Sequence, residues 1–303
     1  MFKISHEVPI DLLEDSRSFN CYDYCLVHLL ETHPKYYQFY KDSLLMGREV
    51  ILDTSVFELG ESFDPDRYAY WINVLKPTEY IIPDCLNDGY KTMEMYESFV
   101  SKYPYLPGKR IGVVHGKTYP EIRECYKFMA HQYSKTRPDK IAISFGYDFF
   151  KKEWNEWSEY EDDLSCLKES KVYDPEFIVS WNKFKQNVKN TNATKAAFGR
   201  IALICRMLKD KIIDVDCPHH LLGAGIPIEF KMYSQYSDIF KFIKSIDTSN
   251  PIVAGLKGIR YNVDGLYEKP TEKLVEYIDH KLSDTEYKDI MFNVNMFKKL
   301  VTK

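Results

Sequence analysis

Short apolar runs recur along this chain, most of them followed by a segment of helix length. The clearest are EVILD (49–53), EYIIPD (79–84), RIGVVHG (110–116), KIAISFG (140–146), DCPHHLLG (216–223) and FIKSID (242–247). Two weaker runs, CYDYCLVHLL (21–30) and AGLKGIRYNV (254–263), bring the candidate strands to eight. Between them lie helical stretches such as YKTMEMYESFVSKY, PEIRECYKFMAHQY and PIEFKMYSQYSDIFKFI. In the second, Ile122, Cys125, Tyr126 and Met129 recur at helical spacing, with Pro120 placed as a first-turn residue. Continuous apolar strands alternating with amphipathic helices require a parallel sheet covered on its outer face. About eight such units in 303 residues favour a closed (β/α)8 barrel of the TIM type over an open doubly wound sheet, with residues 1–303 as one domain.

One gap breaks the rhythm. After the fifth of these strands in chain order (140–146), no strand is expected until about residue 193, so residues 147–193 read as a helical insertion. The insertion holds Trp154, Trp157 and Trp181, and its first part leans acidic. Residues 181–211 then carry eight Lys or Arg against one acid, in a chain whose formal net charge is −4. Such a local sign change marks a candidate nucleic-acid contact, through Lys183, Lys185, Lys189, Lys195 and Arg200; a solvated helix face is the alternative.

The remaining composition narrows the class. A hydrophobic share of 45% beside 28% charged residues is that of a globular protein. Seven scattered cysteines without a CxxC pair suit reduced thiols, and Cys21, Cys25 and His28 read as packing residues because no fourth ligand follows at zinc-site spacing. No apolar run is long enough to span a bilayer, and the N-terminal MFKISHEVPIDLLEDS has charges where a secretory signal needs an apolar stretch. A cytoplasmic location without a membrane partner is expected.

In barrels of this type chemistry sits at the carboxyl ends of the strands. Applied here, that rule places Asp53, Asp84, His115 and Asp247 on one rim, beside the glycine-rich LLGAGIP. A strand-end Asp is often only a helix N-cap. Three carboxylates from three strands point instead to a shared site.

The ordered set LDTSVFE, PDCLND, GVVHG, AISFG, HLLGAGIP and IDTSNP resembles the motifs of the tRNA-guanine (queuine and archaeosine) transglycosylases over roughly residues 48–255. HLLGAGIP is the most specific piece, followed by the spacing of Asp247 to Pro251. The resemblance implies base exchange: guanine leaves a polynucleotide and a free 7-deazaguanine base replaces it. Asp247 matches the family nucleophile, which forms a covalent glycosyl intermediate, and Asp53 matches the general acid/base. Asp84 matches the residue that accepts from the guanine N1 and 2-amino edge. Phe57 and Leu222 fall where the family sandwiches the base, His115 stands where the family has Gln, and Gly223 would let backbone approach the base. For these last four, ordinary packing is the competing reading.

The departures from the family pattern are specific. The family zinc run is missing, since no cysteine follows Cys217, so no metal or other cofactor is expected. Val253 and Leu256 stand where the family has anticodon-gripping arginines, Ser55 and Val56 replace one Gly-Gly, and Ser144 and Phe145 replace another. The chain therefore resembles most closely the phage and bacterial branch that inserts 7-deazaguanines into DNA, with the host cytoplasm as its setting if phage-encoded. DNA is the expected partner, and a homo-oligomer is compatible. The alternatives are exchange on tRNA, a non-catalytic nucleic-acid-binding homologue, and a sugar hydrolase using Asp53 and Asp247, which would leave Asp84 and HLLGAGIP without a role.

Overall fold

The computed structural model describes residues 2–131, 136–145, 149–152 and 191–302. Eight strands form one all-parallel sheet: β1 (Lys3–His6), β2 (Asp23–Leu26), β3 (Val50–Asp53), β4 (Glu79–Ile81), β5 (Lys109–Val114), β6 (Lys140–Ile143), β7 (His219–Leu221) and β8 (Ile243–Thr248). Their order is β1-β8-β7-β6-β5-β4-β3-β2, with seven parallel ladders. β1 and β2 lie side by side without a ladder among the described residues; the Cys21 N–H donates to the Ile4 carbonyl across that seam at 2.8 Å. The sheet thus curls into a nearly closed (β/α)8 barrel. Strands such as VILD, KIAI and DYCL are buried along their whole length, as strands enclosed on both faces must be.

Among the described residues the helices include α1 (Leu13–Ser16), α2 (Val27–Thr32), α3 (Pro34–Leu45), α4 (Val56–Leu59), α5 (Pro65–Leu75), α6 (Gly89–Lys102), α7 (Tyr119–His131), α8 (Asn192–Lys209), α9 (Pro227–Gln235), α10 (Asn250–Leu256) and α11 (Asp284–Val301). Their starts are written in the sequence. Asp64 accepts from the Asp66 and Arg67 N–H groups ahead of Pro65, Asp88 caps α6 through the Lys91 N–H, and Ser283 with Glu286 forms a capping box on α11. On α7 the residues at helical spacing, Ile122, Cys125, Tyr126 and Met129, are all buried.

Two strand expectations need correction. The barrel's first strand is KISH at residues 3–6, whereas AGLKGIRYNV is no strand: α10 covers its first three residues and the rest is irregular. Gly255 explains why, because a Cβ there would lie 2.6 Å from the Ile290 backbone nitrogen, so α10 and α11 pack at backbone distance. The helix expected over 227–243 also ends early, at Gln235, before the chain turns into β8. With KISH counted, the long β6–α8 connection follows the sixth strand, and residues 147–148 and 153–190 of the expected insertion lie outside the described residues.

Behind the loops that follow β6 and β7 sits a buried ion pair. Arg200 of α8 and Glu229 of α9 are both 0% exposed. The guanidinium donates from Nε to Glu229 Oε1 at 2.6 Å and from Nη2 to Oε2 at 2.9 Å. Nη1 donates to the Leu222 carbonyl at 2.7 Å and the Ile143 carbonyl at 3.4 Å, while Tyr233 donates to Glu229 Oε1. Removing one partner strands the other charge in the interior. Glu229→Ala should therefore lose about 3–5 kcal/mol in urea unfolding, and Arg200→Met with Glu229→Leu should recover most of it. A loss below about 1 kcal/mol for the single variant would show that the pair is not a buried charge pair in solution.

Candidate functional site

The carboxyl ends of the strands bring together the acids that the sequence marks. Asp53 is the last residue of β3, Asp84 lies three past the end of β4, His115 follows β5 and Asp247 sits near the end of β8. All four are buried, at 7%, 3%, 1% and 3% exposure. The local backbone is shaped for them. Ser55 adopts a left-handed conformation, φ 61° and ψ 25°, which is costly without glycine, and this turn aims its N–H back at Asp53 Oδ2 at 2.8 Å. Asp84 accepts from Thr54 Oγ1 at 3.2 Å and lies 2.6 Å from His115 Nε2, and Ser62 ties both the Asp84 N–H and its carbonyl. His115 is therefore a partner of Asp84 before it can be a partner of any ligand.

Asp247 is held at both oxygens. Its Oδ1 is 2.9 Å from His220 Nε2, and its Oδ2 accepts from the Gly223 N–H at 3.0 Å. Gly223 takes φ +60°, the left-handed region that suits glycine, so the LLGAGIP turn can present that N–H inward. Among the described residues no Lys or Arg comes within ion-pair distance of Asp247.

The site is more heavily charged than the sequence indicates. Glu7, just past β1, and Glu58 on α4 face the same mouth, both half-buried. Burial raises the Glu7 carboxyl well above the usual range, and the fields of Glu58, Asp247 and Asp53 add to it. Burial likewise raises Glu58. Asp53 is pushed well above the ordinary carboxyl range, first by burial and then by Glu58 and Asp84, against the opposing bond from Ser55. A cation stands among these acids. Lys269 Nζ lies 5.5 Å from the Phe57 ring centre and 5.7 Å from that of Phe145, and burial lowers its pKa. Lys273 donates to the Phe57 and Glu58 carbonyls at 2.8 and 3.2 Å, with its Nζ 4.9 Å from the Phe57 ring centre.

Phe57 is 53% exposed at the mouth, and Leu222 is half-buried against the core. Phe145 lines the other side, so close to LLGAGIP that a Cβ on Gly225 would sit 2.3 Å from its ring. The basic stretch fares differently. Arg200 is wholly internal and bonded to Glu229, so it is not a phosphate contact in this structure; its expected role is corrected to a support of the Leu222 carbonyl. Lys195 is half-buried on α8, and Lys183, Lys185 and Lys189 lie outside the described residues.

Glu7 escaped sequence reading because its strand did. Lys269 and Lys273 sit in an irregular stretch with no periodicity to flag them. His220 had a readable signal: in the HH pair of a strand, alternation sends one ring outward and the other inward. His219 does meet Tyr126 on α7, at 2.9 Å, while His220 meets Asp247. The chain matches no protein-family model and no curated protein.

A carboxyl whose pKa rises on folding ionises more easily in the unfolded chain. The native state thus loses stability as pH climbs from about 4, the unfolded value, through the folded one. Asp53→Asn removes that loss. The variant should melt above the parent at about pH 8 and converge with it near pH 4. A gap of equal size at both would show that ionisation of Asp53 is not what the fold opposes.

Proposed function

We propose that this chain is a base-exchange transglycosylase that removes guanine from DNA and installs a free 7-deazaguanine base. The observation that carries the reading is the pairing of two unlike carboxylates on one rim. Asp247 has a hydrogen-bond partner on each oxygen and, among the described residues, no Lys or Arg within ion-pair distance, while Asp53 is kept protonatable by burial and by its acidic neighbours. Retaining glycosyl transfer needs these two behaviours.

In the first half-reaction an Asp247 carboxylate oxygen bonds to the sugar C1′ as the bond from C1′ to guanine N9 breaks. The bonding pair leaves with the base, and Asp53 gives its proton to the departing purine. In the second, N9 of the incoming base attacks C1′, its N–H proton passes to Asp53, and the ester to Asp247 is released. Asp84, its second oxygen steadied by His115, accepts from the guanine N1–H and 2-amino edge. Phe57 and Leu222 border the flat base, and Gly223 admits backbone close to it. A guanine inside a duplex must be extruded to enter so enclosed a rim. The absence of the family's anticodon-gripping arginines at Val253 and Leu256 favours DNA over tRNA. Lys269 is the cation placed to meet a phosphate of the extruded nucleotide. Lys183, Lys185, Lys189 and Lys195 remain candidate backbone contacts farther along the strand.

Mixing the protein with guanine-containing DNA and a labelled 7-deazaguanine should put label into the DNA, and denaturing gels should reveal a protein–DNA adduct. Asp247→Ala should show neither while retaining its fold by circular dichroism. Normal turnover by that variant would remove Asp247 from the chemistry. Label entering tRNA but not DNA would move the substrate to RNA.

A further inference from the structure

Barrel interiors are ordinarily filled by layers of branched apolar side chains contributed by alternate strands. Here a polar column runs through the interior instead. Glu79 opens β4, Lys140 opens β6, and Ser245 and His220 lie inside β8 and β7. Lys140 Nζ pairs with Glu79 Oε2 and lies 3.4 Å from Ser245 Oγ. Ser245 Oγ is 2.8 Å from His220 Nδ1, and His220 Nε2 is 2.9 Å from Asp247 Oδ1. Lys140, Ser245, His220 and Asp247 are at most 8% exposed. The column therefore links the amino end of the barrel to the carboxylate at its carboxyl rim.

The directions follow from the groups at each end. An ammonium can only donate, so Ser245 Oγ accepts from Lys140. The serine oxygen keeps a second lone pair and one hydrogen, so it can serve His220 Nδ1 as acceptor or donor. The Asp247 carboxylate can only accept, so the single N–H of a neutral imidazole is drawn to Nε2, and Nδ1 is left to accept from Ser245. The opposite tautomer would set a bare Nε2 lone pair against a carboxylate oxygen at 2.9 Å. We propose that Asp247, with the Glu79–Lys140–Ser245 column behind the ring, holds His220 as the Nε2–H tautomer and that His220 is the positioning residue that orients the Asp247 carboxylate. Its role in base exchange rests on the function proposed above; the tautomer does not.

The surroundings agree. Burial lowers the His220 pKa, so the ring stays neutral between the charges that face it, Asp247, Lys140 and Glu79. The Tyr24 ring stacks on it at 6.0 Å and 11°, and the Tyr22 ring meets its edge at 6.5 Å. A neutral donor can steer the carboxylate without handing it a proton, which would quench a nucleophile. With Gly223 on the other oxygen, the carboxylate plane is fixed before substrate arrives.

Nitrogen-15 NMR of the full chain with labelled histidine reads the tautomer directly, His220→Gln identifying the resonance by its loss. Wild type at neutral pH should show His220 protonated on Nε2 alone. Ser245→Ala, which leaves the Lys140–Glu79 pair and the Asp247 acceptor intact, should keep the ring Nε2-protonated while shifting the Nδ1 resonance, which loses its hydrogen bond. Asp247→Leu, which removes the acceptor at Nε2, should let the Nδ1–H form appear. A wild-type ring that is Nδ1-protonated or charged overturns the proposal, as does an Asp247→Leu ring with the wild-type tautomer alone. On the kinetic side, His220→Leu should slow adduct formation about 100-fold at saturating DNA with little change in KM. His220→Gln, whose amide can still donate, should restore much of the rate. Equal rates for Leu and wild type would overturn the positioning role. A wild type that forms no adduct with DNA or RNA would overturn the base-exchange reading, and the spectrum would still decide the tautomer.

Discussion

The buried pair of Arg200 and Glu229 is the interaction on which the rim depends. A charge pair sealed in a core adds little net stability, since desolvation offsets most of the attraction. What this one supplies is geometry. Arg200 reaches past Glu229 to the carbonyls of Ile143 and Leu222, where β6 and β7 give way to loops, and so fixes both strand ends from behind. The peptide after Leu222 then directs the Gly223 N–H at Asp247. The turn is further stitched to β8 where the Ala224 N–H meets the Asp247 carbonyl and Thr248 Oγ1 meets the Ala224 carbonyl. Phe145 completes the assembly, its ring 4.9 Å from the guanidinium and pressed on Gly225.

The rim is an electrostatic compromise. Glu7, Asp53, Glu58, Asp84 and Asp247 would give a mouth hostile to a polyanion if all were ionised. Burial raises three of them, Glu7, Asp53 and Glu58, so the mouth bears less negative charge than its formula. Lys269 offsets part of the remainder, and Lys273 anchors the α4 turn that carries Phe57 and Glu58. In the proposed reaction, the same desolvation that would make Asp53 a usable acid would also lower the barrier to an approaching phosphate backbone.

Much of this was legible in the sequence. Apolar runs ending in Asp53, Asp84 and Asp247 disclosed the barrel and the rim, because a parallel barrel strand has no polar face to hide its pattern. The first strand was not legible: KISH has a polar residue at every position but one, and its neighbours arrive from β8, 242 residues away in the chain, as Lys3 opposite Ser245 shows. Arg200 was misread for a related reason. A positive charge inside a basic stretch looks like surface until its acid, Glu229 on another helix, is seen. Composition cannot report a pairing of that kind, and neither Lys269 nor the polar column below Asp247 has a periodic signature.

The seam between β1 and β2 bears on the two carboxylates in a way that neither shows alone. Asp247 lies on β8, one strand to one side of the seam, and Asp53 lies on β3, one strand to the other. Going round the barrel from Asp53 to Asp247 by the short path crosses two ladders and one junction without a ladder among the described residues. That junction is spanned by the Cys21 N–H on the Ile4 carbonyl and by the Asn20 side chain, which accepts from the His6 N–H and donates to the His6 carbonyl. Neighbouring strands in a ladder are held about 4.8 Å apart by backbone bonds, whereas side chains do much of that work at the seam, with the Tyr22 hydroxyl reaching past β1 to the Ile246 carbonyl of β8 at 2.7 Å. The spacing of the two acids therefore hangs on Asn20 and Tyr22 as much as on any strand, although neither residue touches Asp53 or Asp247 by hydrogen bond.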